Sequence, residues 1–309
     1  MLKKLFLFLS KQKWIGDLLV RMPFLNRLAE RFVAGENLEA ALKVVKKLNA
    51  RGFLVTLDHL GEEVESIKDV IKVAYEYVEA LEEIKKRHLS ATVSVKLTHL
   101  GLGLGDEPEL SEIIARETLE MLVREAERAG TSVEVDMESS AYTEKTLNIF
   151  YALWEKHKNL RVCIQSYLYR TLTDAEKLAQ VGAQIRLCKG AYAEPREVAF
   201  PRKSRVEMSF FTIMALFLSK KLNIGVASWD EKMIQTAKWC AALMNVPKWT
   251  FEFQLLYGVR EELARRLLAE GYRVRIYVPY GESWYPYFCR RLAERPAYFW
   301  LVLRGLFKR

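Results

Sequence analysis

The sequence predicts an α/β fold in which eight parallel strands, each followed by a helix, close into a TIM-type barrel. Seven short segments alternate apolar with polar side chains, as strands with one buried face do. Amphipathic stretches separate these segments, and strand–helix–strand units form parallel sheets that are covered by helices. Eight strands distributed between Asp58 and Tyr277 would recur about every 31 residues, the length of one such unit.

In each predicted strand, one side is apolar and the other ends on a polar or charged side chain. The residues of the second side are Leu54, Thr56 and Asp58; Thr92, Ser94 and Lys96; Ser132, Glu134 and Asp136; Cys163 and Gln165; Arg186 and Cys188; Glu252 and Gln254; and Arg273, Arg275 and Tyr277. The eighth strand is predicted at 224–228, where the pattern is least clear. Closure of the sheet turns the polar side inward, so we expect a charged barrel mouth.

The length of 309 residues and the hydrophobic content of 50% suffice for one large core, so a single domain is expected. Residues 1–35 are predicted to form a helical segment packed on the barrel. Residues 36–309 are predicted to form the barrel, with a C-terminal helix over its mouth. The four cysteines lie far apart in the sequence and form no CxxC pair. We therefore expect reduced thiols in a cytoplasmic protein, and no metal site.

The net charge of +9 is partly concentrated near the N-terminus, at Lys3, Lys4, Lys11, Lys13 and Arg21. The apolar run at 5–9 is too short for a signal peptide, and no run reaches the ~18 apolar residues of a spanning helix. Two interpretations stay open: a helix packed on the barrel, or a helix attracted to the inner face of the plasma membrane. Nucleic-acid binding is not expected, because no recognition signature occurs.

Two adjacent arginines, Arg290 and Arg291, lie on a predicted helix that follows the last strand. This position is near the C-terminal mouth, where barrel enzymes bind their substrates. Guanidinium groups match carboxylates and phosphates bidentately, and Glu294 can support Arg290 at i,i+4. A substrate carboxylate site and a surface salt-bridge ladder are both compatible with this pattern.

Three inward charges, Lys96, Asp136 and Arg186, favour a polar pocket, because a charge inside a barrel is costly unless it is paired. The turn at 190–191 would let backbone N–H groups approach a phosphate or a ring. The glycines at 101–105 lack the GxGxxG spacing, so a loop is predicted there.

Motifs along nearly the whole chain closely resemble those of the proline dehydrogenase family, which are flavin-dependent (βα)8 barrels. The chain is most similar to the short monofunctional bacterial type. The motifs lie at 32–36, 58–62, 94–98, 135–138, 165–170, 186–192, 194–201, 251–254, 277–281 and 290–295. Any one of them could arise by chance, whereas their joint order is highly specific.

The resemblance implies roles for named residues. The carboxylate of L-proline would be held by Lys96, Arg290 and Arg291, the ring would pack on Leu256, Tyr277 and Tyr287, and Asp136 would lie beside the substrate. FAD would contact Gln165, Arg186, Cys188, Gly190, Ala191, Tyr192, Ser228, Trp229, Arg291 and Glu294. Arg186 would lie near the reacting flavin nitrogen, and Glu62 would pair with Arg290 as a gate.

The implied reaction is hydride transfer from ring carbon five of neutral proline to FAD, which yields 1-pyrroline-5-carboxylate. A membrane quinone would then accept the electrons. Two alternatives stay open: oxidation of hydroxyproline, which Tyr277 over the ring disfavours, and a catalytically weak barrel that binds a ligand.

The chain departs from the family pattern at 227–230, where Trp229 replaces a histidine on the flavin side and Ser228 keeps a hydroxyl. Glu207 and Phe210 occupy a region near Lys203 where the family often carries an acidic residue and a tyrosine. These differences bear on FAD affinity more than on the fold.

Overall fold

The computed structural model describes residues 30–61 and 64–294, except for the side chains of 290–294. Eight parallel strands form a closed barrel in chain order, and β8 pairs with β1. This confirms the predicted fold class. The strands are β1 Leu54–His59, β2 Ala91–Val95, β3 Val133–Val135, β4 Leu160–Gln165, β5 Gln184–Cys188, β6 Ile224–Ala227, β7 Phe251–Leu256 and β8 Arg273–Tyr280.

One helix precedes the first strand and the others follow the strands, and most of them cover the outside of the barrel. They are α1 Leu38–Asn49, α2 Ile67–Lys86, α3 Pro108–Arg128, α4 Ser140–Trp154, α5 Thr171–Gln180, α6 Lys203–Ser219, α7 Glu231–Leu243, α8 Glu261–Ala269 and α9 Trp284–Glu294, with a 3-10 turn at Thr98–Leu100. The apolar side of each strand packs against these helices: Val93, Val95, Val133 and Val135 are completely buried. The predicted alternation therefore separates a helix-covered core from a polar interior.

Side-chain caps fix where several helices begin. The Ser66 hydroxyl accepts a hydrogen bond from the Asp69 N–H at 3.2 Å at the start of α2. The Asp230 carboxylate accepts one from the Lys232 N–H at 3.1 Å at the start of α7. Such caps satisfy amide donors that have no partner within the helix. The cap of α7 lies three residues after the end of β6, and Asp230 itself lines the cavity described below.

The strand bounds differ slightly from the prediction. β2 and β3 end at Val95 and Val135, so Lys96 and Asp136 follow their strands by one residue. β8 continues past Tyr277 to Tyr280. The weak pattern at 224–228 has a physical cause, because Gly225 occupies the inward position of β6. A Cβ at Gly225 would overlap the amide of Gln254, which fills that space.

The start of the described chain packs on the end of β8. The Ala34 N–H donates to the Pro279 carbonyl at 2.8 Å, and the Gly281 N–H donates to the Gly35 carbonyl at 3.0 Å. Most of the predicted segment 1–35 lies outside the described residues, so its helical character stays a prediction. None of the described helices is long and apolar enough to cross a membrane.

Candidate active site

A cavity of about 530 Å³ opens at the carboxyl ends of the strands. Residues from β1 and from β4 to β8, from the turns after the strands and from α6 and α9 line it. Among them are thirteen residues that the sequence analysis assigned to the site: Lys96, Asp136, Gln165, Arg186, Cys188, Gly190, Ala191, Tyr192, Ser228, Trp229, Leu256, Tyr277 and Tyr287. The fold thus brings together residues that are as far as 191 positions apart in the chain. Their individual roles stay predictions.

Two carboxylates flank the buried ammonium of Lys96. Its Nζ donates to Asp58 Oδ1 at 2.8 Å and lies 3.5 Å from Asp136 Oδ2. Burial alone would lower the pKa of Lys96, but Asp58 and Asp136 raise it well above its ordinary value. Lys96 is therefore a fixed cation, and an ammonium has three N–H donors. The two carboxylates leave it able to bind an anion from the cavity.

The two carboxylates that flank Lys96 differ from each other. Burial raises the pKa of Asp58, and Lys96 only partly opposes that effect. Burial acts in the same sense on Asp136, but Arg186 and then Lys96 hold the pKa of Asp136 below its ordinary value. Asp136 is thus the more firmly ionised of the pair.

Asp136 also organises Arg186 and Tyr277. The Tyr277 hydroxyl donates to Asp136 Oδ2 at 2.6 Å, and Arg186 Nη1 donates to Asp136 Oδ1. The guanidinium carbon of Arg186 lies 4.8 Å from the centroid of the Tyr277 ring. Burial, then Asp136 and Asp58, raise the pKa of Tyr277 well above its ordinary value, so the phenol stays protonated. We name Asp58, Lys96, Asp136, Arg186 and Tyr277 the mouth cluster.

The opposite wall of the cavity is formed by β4, β5 and the turn after β5. Gln165 is 3% exposed, and its amide donates to the Met137 carbonyl at 3.1 Å. Its Oε1 is buried without a hydrogen-bond partner among the described residues. Gly190 has a φ of 106°, and a Cβ there would overlap the Tyr167 ring. Glycine at 190 is therefore required by packing behind the wall.

Charged side chains surround the outer end of the cavity. Lys189 Nζ donates to Asp230 Oδ2 at 3.0 Å and lies 3.5 Å from Glu207 Oε1. Lys203 lies 3.5 Å from the same Glu207 oxygen. Phe210, in contrast, is fully buried in the core and contributes nothing to the cavity.

Some predicted site residues cannot be placed. Glu62 and the side chains of Arg290, Arg291 and Glu294 lie outside the described part of the structure. The backbone of the two arginines and of Glu294 belongs to α9, whose Tyr287 lines the cavity.

Four residues without a predicted site role also line the cavity: Asp58, Cys163, Lys189 and Gln254. Asp58 carried a signal, because it ends the inward side of β1 as Lys96 and Asp136 end their own strands. Cys163 carried the same signal, because it was predicted on the inward side of its strand as Cys188 was on the next. Although the cysteines are far apart in the sequence, the sulfurs of Cys163 and Cys188 lie 3.6 Å apart. Among the described side chains, which are those of 30–61 and 64–289, no three from histidine, cysteine or acidic residues are placed to hold a metal ion.

Comparison with known proteins assigns the chain to a family. The family model described as "Proline dehydrogenase" matches residues 41–298. "Proline dehydrogenase 1" of Bacillus subtilis is 39% identical over the full length of both chains. "Proline dehydrogenase" of Deinococcus radiodurans is 36% identical, over 91% of this chain and 90% of its own.

A solved structure agrees with these sequence matches. The crystal structure of proline utilization A from Bdellovibrio bacteriovorus, inactivated by N-propargylglycine, superposes with a TM-score of 0.80 at 26% identity. The match covers 86% of this chain but 32% of that longer protein. Because full-length relatives, the family model and the barrel agree, this chain belongs to the proline dehydrogenase family.

Proposed function

We propose that this protein oxidises L-proline to 1-pyrroline-5-carboxylate with FAD as its cofactor, and that a membrane quinone accepts the electrons. One observation carries the proposal: the mouth cluster, with its fixed cations, faces a wall of small and amide side chains across a single cavity. One side suits a carboxylate, and the other suits a flat ring.

The residues present fit a flavin. Gln165 Oε1 is a hydrogen-bond acceptor without a donor among the described residues. Leaving a buried polar atom without a hydrogen bond costs free energy, so this atom favours a ligand that donates one. A flavin ring has an N–H group that could supply one. Cys188, Gly190 and Ala191 keep this part of the wall free of bulky side chains. Lys189 and Lys203 lie at the outer end, where they pair with Asp230 and Glu207. In the proposed complex these residues would hold FAD, which when bound supplies the hydride acceptor.

The mouth cluster would bind and orient proline. Lys96 is a cation that lines the cavity between Asp58 and Asp136, and it would share the substrate carboxylate with Arg290 and Arg291. Leu256, Tyr277 and Tyr287 would pack against the ring. Fixing the carboxylate at one end directs carbon five of the ring towards the opposite wall. Holding two reactants in the reactive orientation accelerates a bimolecular step.

Arg186 connects the two sides of the cavity. Its contacts to Asp136, Glu134 and Gln254 and its position over the Tyr277 ring leave it little freedom. A guanidinium that is already held in place can stabilise negative charge that develops beside it without reorganising. The overall change removes a hydride from carbon five and a proton from the ring nitrogen, and no protein nucleophile is needed.

An absorbance titration tests the proposal. The purified full-length protein, supplied with FAD, should show a flavin spectrum that bleaches on anaerobic addition of L-proline. trans-4-Hydroxyproline should bleach it more slowly, because Tyr277 restricts the space over the ring. A protein that binds no FAD, or that binds FAD and is not bleached by either amino acid, would contradict the proposal.

N-Propargylglycine offers a second measurement, since it inactivated the Bdellovibrio bacteriovorus protein. If the cavity binds proline, this analogue should inactivate the present protein in a time-dependent manner, and an excess of L-proline should protect it. Inactivation that proline does not slow would place the reaction outside the proposed substrate site.

Transfer to a quinone would bring the protein to a membrane surface, and the basic residues near the N-terminus supply the attraction. Each basic residue near an anionic surface contributes about 1 kcal/mol, and salt screens this. Deletion of residues 1–13 should therefore reduce binding to anionic vesicles at low salt while dye-linked proline oxidation continues. Equal vesicle binding by both forms would remove this role from the segment.

A further inference from the structure

Cys163 and Cys188 form a dithiol inside the cavity that the proposed reaction does not use. Cys163 is on β4 and Cys188 is on β5, and the register pairs Cys163 with Arg186 and Gln165 with Cys188. The two cysteines are thus diagonal neighbours on adjacent strands, both on the inward side. Their sulfurs are 3.6 Å apart, and both side chains line the cavity.

From this geometry we propose that Cys163 and Cys188 are a redox-active pair, which hydrogen peroxide or a related small hydroperoxide converts into an intramolecular disulfide. The inference concerns the thiols themselves and does not require that the protein oxidise proline. An S–S bond is about 2.05 Å long, so the sulfurs would have to approach each other by about 1.5 Å.

The two thiols are not equivalent. Their mutual hydrogen bond lowers the pKa of Cys188, and the Gly190 N–H and Arg186 add to this against the effect of burial. The same hydrogen bond, together with burial, raises the pKa of Cys163 well above its ordinary value. Since the thiolate is the reactive form, Cys188 is the expected nucleophile and Cys163 the thiol that resolves the intermediate.

The chemistry balances in two steps. The Cys188 thiolate attacks one oxygen of hydrogen peroxide, the O–O bond breaks, and after protonation Cys188 sulfenic acid and water result. Cys163 sulfur then attacks the Cys188 sulfur, the S–O bond breaks, and the hydroxyl leaves as a second water with the Cys163 proton. One molecule of hydrogen peroxide therefore oxidises both sulfurs.

The disulfide would alter the wall that is proposed to face the flavin. It would remove a polarisable thiol from the surface at Cys188 and join β4 to β5 beside Gln165. Conversely, a bound flavin would cover Cys188. The pair and the cofactor should therefore affect each other, and this part of the inference rests on the proposed function.

Mass spectrometry after peroxide treatment tests the pair. The full-length protein is prepared saturated with FAD and also without FAD, is treated with hydrogen peroxide, and is then alkylated and digested. We expect a Cys163–Cys188 cross-linked peptide that is lost on reduction. Cys163→Ser should instead give a sulfenic acid at Cys188, which dimedone traps. In Cys188→Ser, peroxide should oxidise the remaining thiol of Cys163 at least about tenfold more slowly than it oxidises Cys188 in Cys163→Ser. Cys240→Ser, which removes a thiol on α7, is the matched control and should cross-link as the parent does.

The outcomes separate the two hypotheses. Full alkylation of both thiols at every time point in both samples would overturn the inference, as would cross-linking that requires Cys240. Cross-linking that saturating FAD slows at least about tenfold would support both the pair and the flavin site. Cross-linking at equal rates in both samples would support the pair and contradict the placement of FAD against Cys188.

Discussion

Two charged clusters lie inside the barrel, and they differ in how their charges are neutralised. We name four charged residues the floor cluster: Glu134, Arg161, Glu252 and Arg275. Each lies two residues before a residue that lines the cavity, respectively Asp136, Cys163, Gln254 and Tyr277, which places the floor cluster deeper in the barrel. Arg161 Nη1 donates to Glu134 at 3.1 Å and to Glu252 at 2.6 Å. Arg275 donates to both oxygens of Glu252, at 2.7 and 3.2 Å.

None of the four floor residues lines the described cavity, whereas every member of the mouth cluster does. The floor cluster is thus a set of ion pairs beneath the cavity, while the mouth cluster keeps donors for a ligand. The same inward alternation produces both clusters. Contact with the cavity distinguishes the mouth cluster, which can bind a ligand, from the floor cluster, which cannot. Arg186 connects the two clusters through its ion pair with Glu134.

The largest expected effect is loss of stability on breaking the floor cluster. Glu252→Gln would leave Arg161 and Arg275 buried with one carboxylate fewer, and removing one partner of a buried pair costs about 3–5 kcal/mol. Urea unfolding should show this loss. Glu125→Gln, which disrupts a surface pair with Arg128, is the matched control and should cost less than about 1 kcal/mol. Similar losses in both variants would mean that the ion pairs of the floor cluster contribute no more to the free energy of unfolding than a surface ion pair does.

The mouth cluster should respond through activity as well as through stability, because Lys96 is also the buried partner of Asp58 and Asp136. Lys96→Met would remove a cation that the proposal assigns to the substrate carboxylate, and such a charge-assisted bond is worth about 1.5–3 kcal/mol. We expect kcat/KM for proline to fall about ten- to a hundredfold, with KM carrying most of the change. Lys72→Met on the exposed face of α2 is the control. An unchanged KM in Lys96→Met would contradict the role of Lys96.

The clusters should also differ in their response to acid. Burial would raise the pKa of Glu252, but Arg275 and Arg161 hold it well below its ordinary value, whereas burial raises the pKa of Asp58. A carboxyl with a lowered pKa stabilises the fold above its unfolded pKa of ~4.3 and loses that contribution as pH falls. A carboxyl with a raised pKa stabilises the fold below its unfolded pKa of ~3.9 and loses that contribution as pH rises through the folded value.

Glu252→Gln should therefore flatten the decline of stability in acid, and Asp58→Asn should steepen it. One proton changes the slope by up to about 1.4 kcal/mol per pH unit. Unfolding free energies between about pH 3 and pH 7 measure both slopes. Parallel curves for the parent and both variants would show that these carboxyls titrate alike in the folded and unfolded protein.

The smallest expected effect is at Trp229, which lines the cavity outside both clusters. Ring stacking contributes about 0.5–1.5 kcal/mol beyond area burial, so Trp229→His should change the Kd for FAD by no more than about tenfold. Titration of FAD into flavin-free protein of both forms measures this. If only the histidine form bound FAD, the tryptophan would block the cofactor site of this chain.

Several site residues could be predicted from the sequence because strand alternation has a strict period. Once a strand is recognised, the side to which Lys96, Asp136, Arg186 and Tyr277 belong follows from counting by two. The same counting does not define where a strand ends. The strand β6 has the least clear pattern, because a glycine in the inward position has no polar side chain. Gly225 is explained only by the Gln254 side chain that occupies its space.

By itself, then, the sequence determined the barrel, the side of each strand that faces inward and the charged character of the mouth, because these depend on local periodicity. Only the tertiary structure decided which inward charges neutralise one another. It alone placed Asp58 against Lys96, separated the floor cluster from the cavity and brought the sulfurs of Cys163 and Cys188 to 3.6 Å. Such contacts depend on the register between strands and on barrel closure, which join residues that are distant in the chain.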